Sequence, residues 1–205
     1  MWSPLRSRRV IIVILAVLAV LATEWSWLKG REGQLASPLE VGRLALSGDG
    51  VPMIDQVGRA VTWGGLGDRF QIVVFGYTHC PDICPTTLSN ISRALDRLGD
   101  EASGIQPVFV TLDPERDRPE VLADYVGALD SRFLALTGTP EAVKAVAESY
   151  RVYFAKVGGG EDYLMDHSAY IYLVEPGGTS ASYFPHDQAP DDLARSIRRA
   201  LAERS

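Results

Sequence analysis

A short apolar run, Gln71-Ile72-Val73-Val74-Phe75 with only its first residue polar, leads into a helical pattern across a short loop that holds both cysteines of the chain. A run this short and this continuous predicts a strand buried on both faces. The residues after it, Pro85 to Leu98, place Leu88, Ile91, Leu95 and Leu98 at helical spacing. The same alternation then repeats. Pro107 to Leu112 reads as a second buried strand, Pro119 to Leu129 as a helix, and Phe133 to Leu136 as a short third strand.

Thr139-Pro140-Glu141 has the signature of a helix start, with a hydroxyl cap, proline in the first turn and an acid near the positive dipole end. That helix should run to about Tyr150, followed by a strand over Val152 to Val157 and a Gly158-Gly159-Gly160 break. Ser168 to Val174 reads as another strand, Ala181 to Phe184 as its return after Pro176-Gly177-Gly178, and Pro190 to Arg204 as a terminal amphipathic helix. Strand and helix in alternation, closed by a hairpin and a helix, mean an α/β domain with a central mixed sheet flanked by helices.

The first forty residues are of another kind. Arg6, Arg8 and Arg9 precede an unbroken apolar run from Val10 to Ala22, with Trp25 and Trp27 just beyond it. The run alone would span ~20 Å as a helix, and ~28 Å if extended to Leu28, close to the ~30 Å hydrocarbon core. The tryptophans then fall where an interfacial aromatic belt sits. The expected organisation is a cytoplasmic basic segment at 1–9, a transmembrane anchor at 10–28, a polar linker at 29–40 and one globular domain at 41–205. A cleaved signal peptide, with Val20 and Ala22 at the cleavage site, is the competing reading. In both, the positive-inside rule puts the domain on the extracytoplasmic side. The anchored reading locates it at the cytoplasmic (inner) membrane as a single-pass protein.

Charge excludes one class of partner. The formal charge is −6 over 205 residues, although the first 31 residues carry five basic side chains against Glu24 alone. The domain is therefore strongly acidic and has no stripe of Lys and Arg, which argues against nucleic acid. Two cysteines cannot make a scaffold of several disulfides either.

Those two cysteines lie in Phe75-Gly76-Tyr77-Thr78-His79-Cys80-Pro81-Asp82-Ile83-Cys84-Pro85. The segment sits beyond the carboxyl end of a buried strand, where open α/β sheets place ligands. Pro85 has no N–H to donate and belongs in the first helical turn, which puts Cys84 at or near the N-cap. A helix N-terminus there would stabilise its thiolate. Two soft thiolates suit Cu(I) or zinc, and an added imidazole suits Cu(II) as well. His167, in Met165-Asp166-His167-Ser168 just before a core strand, can supply it. Three protein ligands leave the metal coordinatively open, which favours transfer over a permanent structural role. The same two cysteines are also compatible with a plain structural disulfide.

GYTHCPDICPTTL (76–88), VTLDPERDRPEVLADYV (110–126), LTGTPEAV (136–143) and DHSAYIYLVEPGG (166–178) together resemble the Sco (SenC/PrrC) family, copper-handling proteins of cytochrome oxidase assembly. The resemblance implies a thioredoxin-like fold, an N-terminal membrane anchor, and copper held as Cu(I) or Cu(II) by Cys80, Cys84 and His167. It also implies a Cys80–Cys84 disulfide when oxidised. The implied role is a metallochaperone for the copper-site subunit of a respiratory oxidase, with another periplasmic copper carrier as a further partner. The same thiol pair could serve a thiol–disulfide oxidoreductase that reduces the oxidase's copper-site cysteines, or a redox or copper sensor. Met165 stands where the family more often has an aliphatic residue, and reads as a packing hydrophobe.

Four other groups carry expectations. Asp113-Pro114-Glu115-Arg116-Asp117 ends the second buried strand, and the resemblance suggests a role for it at the copper face or the partner surface. Asp117 and Glu120 have capping-box spacing, so the stretch also reads in part as helix initiation and stays outside the metal shell. His79 should point away from Cys80, His186 should be solvent exposed, and Tyr163 could form a wall of the site.

Overall fold

The computed structural model describes residues 42–45 and 50–203, apart from 65, 68, 161 and 179. The expected anchor and linker lie outside the described residues, among which no helix is long and apolar enough to cross a membrane.

In chain order the elements are β1 (Gly42–Ala45), β2 (Pro52–Asp55), β3 (Ala60–Thr62), β4 (Phe70–Gly76), α1 (Ile83–Leu98), a 3-10 turn (Gly99–Gly104) and β5 (Ile105–Thr111). There follow α2 (Pro119–Leu129), β6 (Leu134–Thr137), α3 (Pro140–Ser149), β7 (Phe154–Val157), β8 (Leu164–His167), β9 (Tyr170–Val174), β10 (Ser180–Pro185) and α4 (Pro190–Ala202). Eight strands form one sheet in the order β1-β10-β9-β4-β5-β6-β2-β3. β4, β5 and β6 run parallel and the other pairings are antiparallel, so the sheet is mixed.

β4 and β5 lie at the middle of this sheet, and all seven residues of β4 are buried. Ile72 and Val74 pack into one apolar cluster with Leu88, Ile91 and Leu95 of α1, Leu122 and Val126 of α2, and Leu193 and Ile197 of α4. Val73 and Phe75 point into the other, with Val143 and Val146 of α3, Tyr150 and Tyr172. A strand clothed on both faces has no place for a polar side, which is why its sequence is a continuous apolar run. Each such side chain contributes on the order of 1.5–3 kcal/mol by leaving water.

Local signals behave as elementary capping rules require. Thr139 is the N-cap of α3 and its hydroxyl accepts from the Ala142 amide at 3.2 Å, with Pro140 in the first turn. Two readings change. The 152–157 segment is a strand only from Phe154, and it does not join the main sheet. It pairs with a strand not anticipated, β8, to make a separate two-stranded ribbon. β1, β2 and β3 also went unread, each only three or four residues long.

Candidate metal centre

The main sheet sets where the site forms. Because β4 and β5 are parallel and in register from Phe70↔Ile105 to Gly76↔Thr111, the loops after them leave the sheet side by side. The first carries Cys80 into α1. The second is Asp113–Asp117, and it is bound tightly to the first. Asp117, with no exposure, accepts from the Thr78 amide at 3.0 Å, the Thr78 hydroxyl at 2.6 Å and the Thr111 hydroxyl at 2.6 Å. The capping box expected at Asp117 is therefore not made: the N-cap of α2 is Arg118, with no side-chain cap. A buried carboxylate is costly unless its lone pairs are filled, and the three donors of the neighbouring loop and strand fill them.

The helix starts two residues earlier than a cap at Cys84 would have it. Asp82 is the N-cap of α1, Ile83 and Cys84 are its first two residues, and Pro85 is the third. None of the first four amides of a helix has an intrahelical acceptor, so proline is accommodated there as readily as at the first position. The shift changes which sulfur the helix serves. The Cys84 amide points at the Cys80 Sγ, 3.5 Å away.

The two thiols are unbridged and differ sharply. Cys84 is buried and Cys80 half-buried. A hydrogen bond from the Cys84 thiol holds Cys80 far below the ordinary thiol range, to about 3. Partial burial opposes this, and His167 and the amides of Cys84 and Asp82 reinforce it. The Cys84 thiol is pushed up by the same hydrogen bond, by burial and by the charge on Cys80. The expected thiolate at Cys84 is thus corrected: the low-pKa sulfur is Cys80, at the mouth of the helix, where amides converge on it.

His167 is the last residue of β8, within hydrogen-bonding reach of Cys80. Its Nδ1 lies 3.0 Å from the Ser168 carbonyl oxygen, which can only accept, so Nδ1 carries the hydrogen. That leaves Nε2 for the sulfur or for a metal, the arrangement usual for ligating histidines. Burial disfavours its charged form, but the hydrogen bonds with Cys80 and the Ser168 carbonyl outweigh this and raise its pKa. The Tyr77 ring packs edge-on to the imidazole, with centroids 6.1 Å apart.

The fold thus brings together Cys80, Cys84 and His167 through hydrogen bonds centred on Cys80. Among the described residues, no group of three or more His, Cys, Asp and Glu side chains is already closed into a metal-holding cluster. Met165 is 7% exposed and packs in the core. His79 lies in a turn, not a strand, with Nδ1 3.1 Å from the Thr78 hydroxyl and facing Asp117. His186 is half-buried, contrary to expectation, and lines a narrow cleft with Ile83, Cys84, Thr87, His167 and Tyr170. That cleft encloses only about 10 Å³. An organic substrate needs hundreds.

Thr78 escaped the sequence reading, and Asp117 was read only as a helix cap. The available signal was the pair of parallel buried strands, which must deliver their following loops to one edge of the sheet.

The SCO1/SenC family model matches residues 50–202. The chain is similar to Arabidopsis thaliana ScoI, solved with copper bound, at 35% identity and TM-score 0.73 over 78% of this chain and 99% of that one. It is likewise similar to copper-bound Bradyrhizobium japonicum ScoI, at 39% identity and TM-score 0.69 over 76% and 99%. BsSco, described as a member of the Sco family of cytochrome c oxidase assembly proteins, shares the fold at TM-score 0.62 and 22% identity over 78% and 95%. The thioredoxin-like α/β architecture and the matched residues agree, and the chain belongs to the SCO1/SenC family.

Proposed function

We propose that this domain carries copper on Cys80, Cys84 and His167 and delivers it to the copper-site subunit of a respiratory cytochrome oxidase during assembly. The observation that carries the reading is the convergence of the His167 imidazole on the cysteine pair: it interacts with Cys80 and lines one cleft with Cys84. A dithiol that only exchanges disulfides does not require an imidazole from a remote strand, whereas Cu(II) favours nitrogen ligands beside the thiolates. Cys80 is already a thiolate and His167 is held with Nδ1 on a carbonyl, so for copper to bind both sulfurs the Cys84 thiol, its pKa raised, must give up its proton, as must Nε2 wherever the imidazole is charged. Three protein ligands and a cleft open on one side leave room for an acceptor's ligands to enter, as transfer requires. Copper-bound relatives support the choice of metal.

Residues 10–28 serve in this reading as a single-pass anchor in the cytoplasmic membrane, residues 29–40 as a tether, and the domain faces the extracytoplasmic side, where the oxidase subunit or another copper carrier meets it.

The deciding experiment is His167→Ala with Cu(I) and Cu(II) affinities measured separately, beside oxidase activity in cells. Cu(II) binding should fall far more than Cu(I) binding, and oxidase assembly should fail. Unchanged copper binding with normal oxidase activity would reject the three-ligand site.

A second reading, a thiol–disulfide reductase acting on the oxidase's copper-site cysteines, is favoured by the asymmetry of the pair. Cys80 is a half-exposed thiolate and Cys84 a buried thiol, the division between attacking and resolving sulfurs. In that case His167→Ala keeps both turnover and phenotype.

A further inference from the structure

The ribbon that carries His167 has no strand pairing with the main sheet. Beyond the two-residue link from His167 into β9, its position is set by side chains. Along its length the Tyr77 phenol meets the Met165 backbone, and Phe154 and Met165 pack against the core. At the start of β8 the hold is polar and centred on a buried carboxylate. The Tyr163 hydroxyl donates to Asp113 Oδ1 at 2.6 Å, and the Arg116 Nε donates to Asp113 Oδ2 at 2.5 Å. The Arg116 guanidinium lies 3.6 Å from the centroid of the Tyr163 ring. Asp113 is 1% exposed, so its carboxylate is shielded from water and its charge-assisted hydrogen bonds are strengthened, with the cation–π contact beside them. Outside them, Lys156 of β7 pairs with Glu115 at 2.6 Å.

One five-residue loop therefore grips both halves of the site. Asp117 holds Thr78, two residues before Cys80, and Asp113 with Arg116 holds Tyr163, four residues before His167. We propose that Tyr163, Asp113 and Arg116 are positioning residues that register the His167 ribbon against the cysteine loop, and so set the imidazole's contribution to copper binding. This rests on the three-ligand reading. The clasp touches no ligand directly. It acts by restricting where β8 can present its last residue, and it is released without disturbing either cysteine.

The test compares Tyr163→Phe, which keeps the ring under Arg116 and removes only the donor, with Tyr163→Ala and with His167→Ala. Loss of a group that orients a ligand typically costs about 10–100-fold, so Cu(II) affinity should drop about tenfold or more in Tyr163→Ala, with Tyr163→Phe between it and the wild type. Cu(I) affinity should stay near wild type, because two thiolates suffice for it. The nitrogen hyperfine structure of the Cu(II) EPR spectrum should weaken in step. In the metal-free protein, amide hydrogen exchange should speed up in β7 and β8 of Tyr163→Ala and stay unchanged in β4 and β5, which also shows that the variant is folded. If His167→Ala abolishes Cu(II) binding while both Tyr163 variants keep the wild-type Cu(II)-to-Cu(I) ratio and spectrum, the clasp is overturned alone. Unchanged exchange in β7 and β8 overturns it as well. If His167→Ala itself leaves Cu(II) binding intact, the three-ligand reading falls and the positioning role falls with it.

Discussion

The Sγ of Cys84 lies 2.7 Å from where a Cβ on Gly76 would stand, and the Phe109 ring is 3.0 Å from the same point. The sulfur is seated against bare backbone at the last residue of β4. Gly76→Ala forces Cys84, Phe109 or the strand to move, and overpacking of this kind costs about 1–3 kcal/mol. Cu(I) affinity should fall with it, because the buried sulfur is displaced. Urea denaturation and a Cu(I) competition titration check both, and an alanine variant with wild-type stability would show that the seat is loose.

The two thiols should be chemically distinguishable. In the reduced, metal-free protein, iodoacetamide should modify Cys80 and spare Cys84. Its rate should be nearly flat from about pH 5 to pH 8, since the thiolate is already fully formed there. Peptide mapping after brief alkylation reads the site, and a rate that climbs tenfold per pH unit in this range would contradict it. The folded pKa of about 3 lies below the ordinary thiol value. The stability this contributes is complete above the unfolded value of about 8.5 and is lost as pH falls through the folded one.

Asp117 titrates in the opposite sense. Burial, against the hydrogen bonds from Thr111 and Thr78, raises its pKa above the usual carboxylate value. The folded state then binds the proton more tightly than the unfolded chain. That contribution to stability is complete below the unfolded value of about 3.9 and is lost as pH rises through the folded value. Asp117→Asn should remove this dependence, so its stability relative to wild type should improve from pH 4 upward. Asp117→Ala leaves the buried Thr78 and Thr111 donors without their acceptor and should cost about 1–3 kcal/mol at every pH. Denaturation of both variants across the acid range measures the two effects.

Arg151 holds φ at 56°, the left-handed region, where the chain turns out of α3. Its amide bonds to the Glu148 carbonyl at 2.9 Å, and the Val152 amide to that of Ala147 at 2.9 Å, a helix end that usually carries glycine. Arg151→Gly should stabilise the domain by about 0.5–1 kcal/mol, less the entropy glycine adds to the unfolded chain. A lowered melting temperature would mean that the Arg151 side chain contributes more than its backbone costs.

Reading by periodicity succeeded where one element buries itself by its own pattern. β4, β5, α1, α2 and the Thr139 cap were legible because a strand clothed on both faces must be apolar throughout, and a helix must repeat every three to four residues. β1, β2 and β3 were not legible, since strands of three or four residues at the rim are too short to show a period. β8 was missed for a related reason. Its partner is β7 alone, so its exposure follows the ribbon and not the sheet.

By itself, then, the amino-acid sequence determined the α/β class, the helix that begins at the cysteine motif, the family, and the three residues with metal-binding chemistry. Ligand type is a property of the side chain, and side chains are written in the chain. Tertiary structure alone decided that Cys80 and not Cys84 bears the charge, because pKa depends on which sulfur the amides of α1 face and which is buried. It likewise decided that Asp117 ties down the cysteine loop instead of capping α2, and that Asp113 and Arg116 grip the His167 ribbon through Tyr163. Those pairings join residues dozens of positions apart, and no local pattern encodes a contact that exists only after two parallel strands have set their loops side by side.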